Sequence, residues 1–285
     1  VDSHSQPARY GLFGYPVQHS WSPFIHGMFA QQTGEDMSYH LFESEPANFR
    51  TDVLSFFGCG GQGCNVTLPH KRAAAELVND LTPRAQLADA VNTIMRRDDH
   101  LVGDNTDGIG LINDLRCNLG LVLDAPRILL LGAGGAARGA LGPLLELGPT
   151  QLLVANRTIE RAWVLAAEFH DLGAVSGAAF DEITGPPFDL IINATSASLT
   201  GEVPAIPMSA IDARSTCYDM AYGVGDTPFT AWARAAGAGR VEQGWGMLVE
   251  QAAEAFRLWR GVRPETAPVL EALRARAAAK VRTPA

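Results

Sequence analysis

The nearly all-apolar run Arg127-Ile128-Leu129-Leu130-Leu131 leads straight into Gly132-Ala133-Gly134-Gly135-Ala136-Ala137. Such a run suits a strand covered on both faces, as the centre of a parallel sheet requires. The glycines follow the form G-x-G-x-x-A and open a helix. The first glycine permits a tight turn, the second lets the backbone approach a pyrophosphate, and the small Ala137 lets helix and strand pack closely. The helix start offers unpaired N–H groups and a positive dipole end to phosphates. Taken alone, the string also reads as a plain turn with small residues for packing. With a strand before it, a helix after it and Gln151 to Ala155 as a further strand about 20 residues on, it reads as a dinucleotide-binding unit.

The end of that next strand selects the ribose. An NAD site places Asp or Glu there. This chain carries Asn156-Arg157-Thr158, with Arg161 one turn further. Two guanidinium groups at a helix start suit a 2′-phosphate, so NADP is the expected cofactor. Thr158 serves as N-cap or donates its hydroxyl, and Arg161 reads alternatively as a solvated surface charge. Thr158 to His170 reads as a helix, and Phe188 to Ile192 and Ser215 to Asp219 as strands.

The chain has 285 residues, enough for two domains. Before the glycine turn, Arg9 to Gly14, Ser38 to Phe42 and Gly63 to Thr67 read as strands. Between them lie helices over Pro23 to Gln32, capped by Ser22, and over Ala47 to Phe57. Pro69 opens another, and Asn105 to Leu119 reads as a connecting helix. This alternation favours a parallel α/β layer. Met247 to Arg260 and Pro268 to Lys280 are amphipathic helices suited to pack back on the first domain. The expected architecture is therefore α/β with two domains. Residues 1–106 and 246–285 form an α/β substrate-binding and catalytic domain. Residues 107–245 form a Rossmann-type, doubly wound NADP domain. Two crossings between them would leave a cleft.

The formal net charge of −9 argues against a nucleic-acid partner, which needs a basic stripe. No apolar run is long enough for a membrane helix. The polar start, Val1 to Pro7, lacks the pattern of a signal peptide, and the last residues from Arg282 read as a frayed tail. Cys59, Cys64, Cys117 and Cys217 form no CxxC, and no histidine near them has zinc-ligand spacing. A cytoplasmic protein with reduced cysteines and no metal is expected. Monomer and homodimer are both open.

Four polar strings fall where loops meet helix starts. In His19-Ser20-Trp21-Ser22-Pro23, the serines suit an anion such as a carboxylate, or Ser22 is only a cap. In Asn65-Val66-Thr67-Leu68-Pro69-His70-Lys71, a lysine at the positive end of a helix is poorly placed for structure alone. It suits a carboxylate or a reacting oxygen, unless it is simply solvated. The others are Ala90-Val91-Asn92-Thr93 and Gly103-Asp104-Asn105-Thr106-Asp107-Gly108, where Asp107 caps a helix or does chemistry.

Together with Asn193-Ala194-Thr195-Ser196, Tyr218-Asp219-Met220 and Gly246-Met247-Leu248-Val249-Glu250-Gln251-Ala252, these strings resemble the shikimate dehydrogenase family from Tyr10 to about Leu270. The resemblance implies reversible reduction of 3-dehydroshikimate to shikimate with NADPH, in aromatic amino-acid biosynthesis. It implies Lys71 and Asp107 as the catalytic pair. Ser20, Ser22 and Tyr222 would hold the substrate carboxylate, and Thr67, Asn92 and Gln251 would serve the ring hydroxyls and the carboxylate side. Gly132, Ala133, Gly134, Gly135, Ala136, Asn156, Arg157, Thr158 and Arg161 would form the NADP site. Met220, Gly244 and Met247 would line its nicotinamide end. Departures from the family's commonest pattern are His70, Trp21, Ser196-Ala197-Ser198 and Trp245. Three rivals share the plan: a quinate/shikimate dehydrogenase using NAD or both cofactors, a non-catalytic sensor of shikimate-like acids, and a different NADP enzyme such as a folate dehydrogenase. The arginine pair, the Lys71 and Asp107 pair and the serine pair weigh against them in turn.

Overall fold

The computed structural model describes residues 6–195, 197 and 201–282. Ser196 and Ser198, named above, lie outside them, as do the first five residues and the last three. The chain divides into two compact units. One runs to Gly110 and resumes over Val249–Arg276; the other comprises Leu111–Leu248 and the residues from Ala277. The divisions thus fall a few residues later than the expected 106/107 and 245/246.

In the first unit, β1 (Ala8–Gly14), β2 (Met37–Glu43) and β3 (Gly61–Val66) alternate with α1 (Ser22–Thr33) and α2 (Phe49–Gly58). There follow α3 (Lys71–Leu77), β4 (Asp80–Leu81), α4 (Pro83–Ala88), β5 (Thr93–Arg97) and β6 (His100–Asp104), then α5 (Asp107–Asn113). The strand order is β2-β1-β3-β5-β6-β4. β1 is parallel to β2 and β3, but β5 runs antiparallel to both β3 and β6. The expected all-parallel layer is corrected to a mixed sheet. The charged turn Arg96-Arg97-Asp98-Asp99 closes a tight hairpin, and a hairpin can only be antiparallel. Asp98 takes the positive φ of 53° that such a turn needs. One core of this unit gathers Phe13, Phe49, Val53, Phe56, Cys64, Val66 and Ile94.

α1 starts one residue before the expected Pro23. Trp21 is already right-handed at φ −84°, ψ −4°, so Ser22 is helical and buried rather than the N-cap. Ser20 Oγ accepts from the Ser22 N–H at 3.2 Å and supplies the missing cap. Gly34, at φ 69°, ends the helix. The expected helix over 105–119 begins at Asp107, and its last turn, Asp114–Asn118, is π-helical.

In the second unit β7 (Arg127–Leu131) is followed by α6 (Gly135–Leu145), β8 (Gln151–Ala155) and α7 (Ile159–Phe169). Then come β9 (Val175–Ala178), β10 (Leu190–Asn193), β11 (Thr216–Asp219), α8 (Pro228–Ala235) and β12 (Arg240–Gln243). The order is β12-β11-β10-β7-β8-β9, with every pairing parallel. This is the doubly wound arrangement, with its switch point between β7 and β10. Every residue of β10 and β11 is buried, and β7 is buried except at Arg127, as strands covered on both faces require. α9 (Trp245–Arg260) crosses from this unit into the first, and α10 (Ala267–Arg282) follows.

Candidate active site

β3 leads to Thr67, and His70 then takes the N-cap position of α3, without a side-chain capping bond, ahead of the first residue Lys71. The His70 ring is buried, stacks on Phe49 at 4.4 Å, and meets the Ser44 carbonyl oxygen through Nε2 at 2.7 Å. That anchorage fixes where Lys71 leaves the helix. Lys71 Nζ lies 2.5 Å from Asp107 Oδ2, with the side chains 22% and 9% exposed. A cation at a helix N-terminus is thus compensated by a carboxylate that is itself largely withdrawn from water. Asp107 does not cap its own helix. Its N–H is taken by Asn105 Oδ1 at 3.1 Å, and Asn105 Nδ2 donates to the Ala90 carbonyl at 3.0 Å.

Asn92 organises the pair. Its Nδ2 donates to Asp107 Oδ1 at 2.8 Å and Thr106 Oγ1 at 2.9 Å, with Gln251 Oε1 at 3.4 Å. Its Oδ1 accepts from the Thr106 N–H at 2.8 Å and from Thr93 Oγ1 at 2.9 Å. Four of the expected residues, Lys71, Asn92, Asp107 and Gln251, therefore form one hydrogen-bonded cluster. Gln251 comes close because Gly110 has no side chain: a Cβ there would lie 2.8 Å from the Gln251 backbone nitrogen.

Ser20 Oγ donates to Ser22 Oγ at 3.1 Å. Ser22 lies near Tyr39, whose hydroxyl donates to Asn65 Oδ1 at 2.8 Å. Asn65 Nδ2 donates to Thr93 Oγ1 at 3.1 Å, which reaches Asn92. A continuous chain of hydrogen bonds thus joins Tyr39 to the Lys71–Asp107 pair. Sequence alone assigns no role to Tyr39, Asn65, Thr93, Asn105 and Thr106. Asn65, Thr93, Asn105 and Thr106 stood in the quoted strings, which was the available signal. Beneath Tyr39 lies His26, fully buried, stacked on the tyrosine at 4.3 Å and 5.3 Å from the Trp259 ring. Neither of its ring nitrogens has a well-formed hydrogen bond. Burial holds its pKa at about 3, against a smaller opposing pull from Asn65.

The second unit carries the other expected residues. Gly132 has φ 105°, a conformation for glycine, and its missing Cβ faces the Ala194 carbonyl oxygen at 3.1 Å. The turn therefore sits between the ends of β7 and β10, at the switch point. Gly134 and Gly135 have open space where a Cβ would be, and α6 starts at Gly135, next to Ala136. Ala137 is fully buried and Ala133 partly so. Arg157, Thr158 and Arg161 are exposed at the start of α7. Thr158 occupies the N-cap position without using its hydroxyl there, and Asn156 Nδ2 donates to the Thr158 carbonyl at 2.8 Å. The Met220 backbone lies where a Gly244 Cβ would be, and Met247 is buried on the next turn. Tyr222 belongs to this unit, unlike the serines it was grouped with. Its ring packs on Trp245 at 4.7 Å, and burial raises its pKa.

No group of metal-ligating side chains occurs among the described residues, and no described helix is long and apolar enough to cross a membrane.

Comparison with known proteins agrees with this geometry. Residues 12–94 match the shikimate dehydrogenase substrate binding domain. Residues 117–201 match the shikimate/quinate 5-dehydrogenase family, and residues 244–274 match the shikimate 5′-dehydrogenase C-terminal domain. The NADP(+) shikimate dehydrogenase of Aeromonas salmonicida (strain A449) is 55% identical over 267 residues, covering 93% of this chain and 97% of that protein. That of Methylococcus capsulatus is 52% identical, covering 95% and 98%. Among solved structures, an Ael1 enzyme from Pseudomonas putida superposes with a TM-score of 0.88 at 45% identity, covering 93% of this chain and 98% of that one. A shikimate 5-dehydrogenase from Thermus thermophilus, in complex with NADP(H) and shikimate, gives a TM-score of 0.82 at 32% identity, covering 94% and 99%. The chain belongs to the shikimate dehydrogenase family.

Proposed function

We propose that this chain reversibly reduces 3-dehydroshikimate to shikimate with NADPH, in the cytoplasm. The observation that carries the reading is Lys71 Nζ held 2.5 Å from Asp107 Oδ2, within a hydrogen-bonded cluster that includes Asn92 and Gln251. An ammonium, a carboxylate and two side-chain amides in one cluster, with the Ser20 and Ser22 hydroxyl pair on the same unit, suit a small hydroxy acid. Ser20 and Ser22 take the substrate carboxylate, a role the family resemblance also implies for Tyr222. Thr67, Asn92 and Gln251 take ring hydroxyls. The Thr67 hydroxyl has no partner among the described residues and is free to do so.

NADP fits the second unit. The open space at Gly134 and Gly135 admits a pyrophosphate to the start of α6, and the exposed Arg157 and Arg161 suit a 2′-phosphate. Asn156 and Thr158 frame that end, and Met220, Gly244 and Met247 the nicotinamide end. When bound, the cofactor supplies the hydride that becomes the new C–H bond at the carbonyl carbon. As that bond forms, the carbonyl oxygen gains negative charge. Lys71, as ammonium, stabilises the charge and delivers a proton to that oxygen; in the oxidative direction the neutral amine takes it back. Asp107 holds Lys71 in place and accepts from a neighbouring substrate hydroxyl.

The test is Lys71→Ala. Its kcat for shikimate oxidation is expected to fall about 10²–10⁴-fold, with a smaller change in KM. Turnover close to that of the parent would remove Lys71 from this role.

A further inference from the structure

Arg84 lies in the first turn of α4, outside every residue assigned to the substrate, yet it joins the end of β6, which leads to Asp107, to α9, which carries Gln251. Its Nε donates to Asp104 Oδ1 at 2.6 Å and its Nη2 to Asp104 Oδ2 at 2.8 Å, a side-on, two-point pairing. The same Nη2 reaches Glu254 Oε1 at 3.0 Å. Asp104 is 1% exposed and Glu254 4%, so both charges are held out of water.

Each carboxylate stands one step from the active site. Asp104 Oδ1 also accepts from Thr82 Oγ1 and from the Asn105 N–H, both at 2.7 Å. Asn105 is the residue whose Oδ1 holds the Asp107 N–H. Glu254 follows Gln251 by three residues on α9, one helical turn along the same face. We propose that Arg84 is a positioning residue: by clamping Asp104 to Glu254 it sets the distance between the start of α5, which carries Asp107, and α9, which carries Gln251. This rests on the substrate reading above.

The partners show why the bridge matters more than the charge on Glu254. Glu254 is also met by Arg257, with 2.8 Å from Nη2, and by Arg263 at 3.4 Å. Its charge stays compensated without Arg84. Arg84 is the cation that meets Asp104 among the described residues, and its planar fork reaches both acids at once. A lysine ammonium keeps a positive charge beside Asp104 but does not offer that fork.

The test compares Arg84→Lys and Glu254→Leu, which removes the acceptor, with the parent. Shikimate affinity is read by calorimetry, kcat and KM for shikimate and NADP by turnover, and melting temperature separately. Both variants are expected to lose about tenfold or more in shikimate affinity and in kcat/KM for shikimate, while KM for NADP stays within about twofold. If Arg84→Lys does not fold, Glu254→Leu decides alone. Shikimate constants within about twofold of the parent, or equal losses for shikimate and NADP, overturn the clamp. Unchanged constants with a lowered melting temperature leave Arg84 a structural role only. A parent that neither binds nor oxidises shikimate refutes the proposed reaction, and the clamp with it.

Discussion

Replacing His26 by leucine should flatten the pH dependence of stability below neutrality. His26 is fully buried among Tyr39, Phe29, Phe256 and Trp259, and burial lowers its pKa from the ordinary 6.5 to about 3. The folded chain therefore keeps it neutral where the unfolded chain binds a proton. Its contribution is fully present above the unfolded value and is lost as pH falls towards the folded one. At 1.36 kcal/mol per unit, the whole displacement corresponds to about 5 kcal/mol, of which about 2–3 kcal/mol is lost between about pH 7.5 and pH 4.5. Glu254, held at about 2 chiefly by the Arg257 guanidinium, withdraws its own contribution only below its ordinary 4.5. That contribution is common to both chains and cancels in the comparison. Leucine is close to histidine in size and does not titrate. Near neutral pH the variant should match the parent within about 1 kcal/mol, because the lost ring stacking is offset by removing two poorly bonded nitrogens. Urea unfolding of both proteins at several pH values measures the difference directly. Parallel pH profiles would refute burial of a neutral His26.

Three further outcomes are expected. Gly110→Ala places a Cβ 2.7 Å from Gln251 Cβ and 2.8 Å from its backbone nitrogen, so α9 must shift away from α5. Shikimate KM should rise and stability fall by about 1–3 kcal/mol, read by kinetics and denaturant unfolding. His70→Phe keeps a ring on Phe49 but strands the buried Ser44 carbonyl that His70 Nε2 meets. It should cost about 1–3 kcal/mol in unfolding experiments. Arg157→Ala and Arg161→Ala should each raise the NADP Michaelis constant about tenfold or more while leaving that for NAD nearly unchanged. Equal effects on both cofactors would move the 2′-phosphate elsewhere.

The second unit was legible because its signals are local. The run from Arg127 to Leu131, the glycine turn and the strand from Gln151 to Ala155 lie where the sequence places them, within a residue. β9 and β12 were not read. Each has four residues, and β9 contains Gly177, whose missing side chain lets the backbone of α7 approach. The hairpin of β5 and β6 was missed because strand–helix alternation suggested parallel pairing, and only its short charged turn says otherwise. Ser-Pro is a common helix start, which makes Ser22 look like a cap. The three-dimensional fold puts Ser20 in that role and leaves Ser22 bonded to its neighbours. In the site, Lys71, Asn92 and Asp107 stood out as polar groups at loop–helix junctions. Tyr39 and Arg84 did not, since each acts on partners that are 26 and 170 residues away in the chain. A lone histidine on an apolar helix face gave no sign that its nitrogens would go without well-formed bonds.

The most direct test of the proposed reaction is a spectrophotometric assay of the purified protein, following nicotinamide reduction with shikimate and with quinate, each with NADP and with NAD. Rapid turnover with shikimate and NADP alone is the expected result, joining the Lys71–Asp107 pair to the exposed arginines of α7. Turnover with quinate or NAD would contradict the assigned specificity. Shikimate binding without turnover under any cofactor would contradict the catalytic role of Lys71 and Asp107.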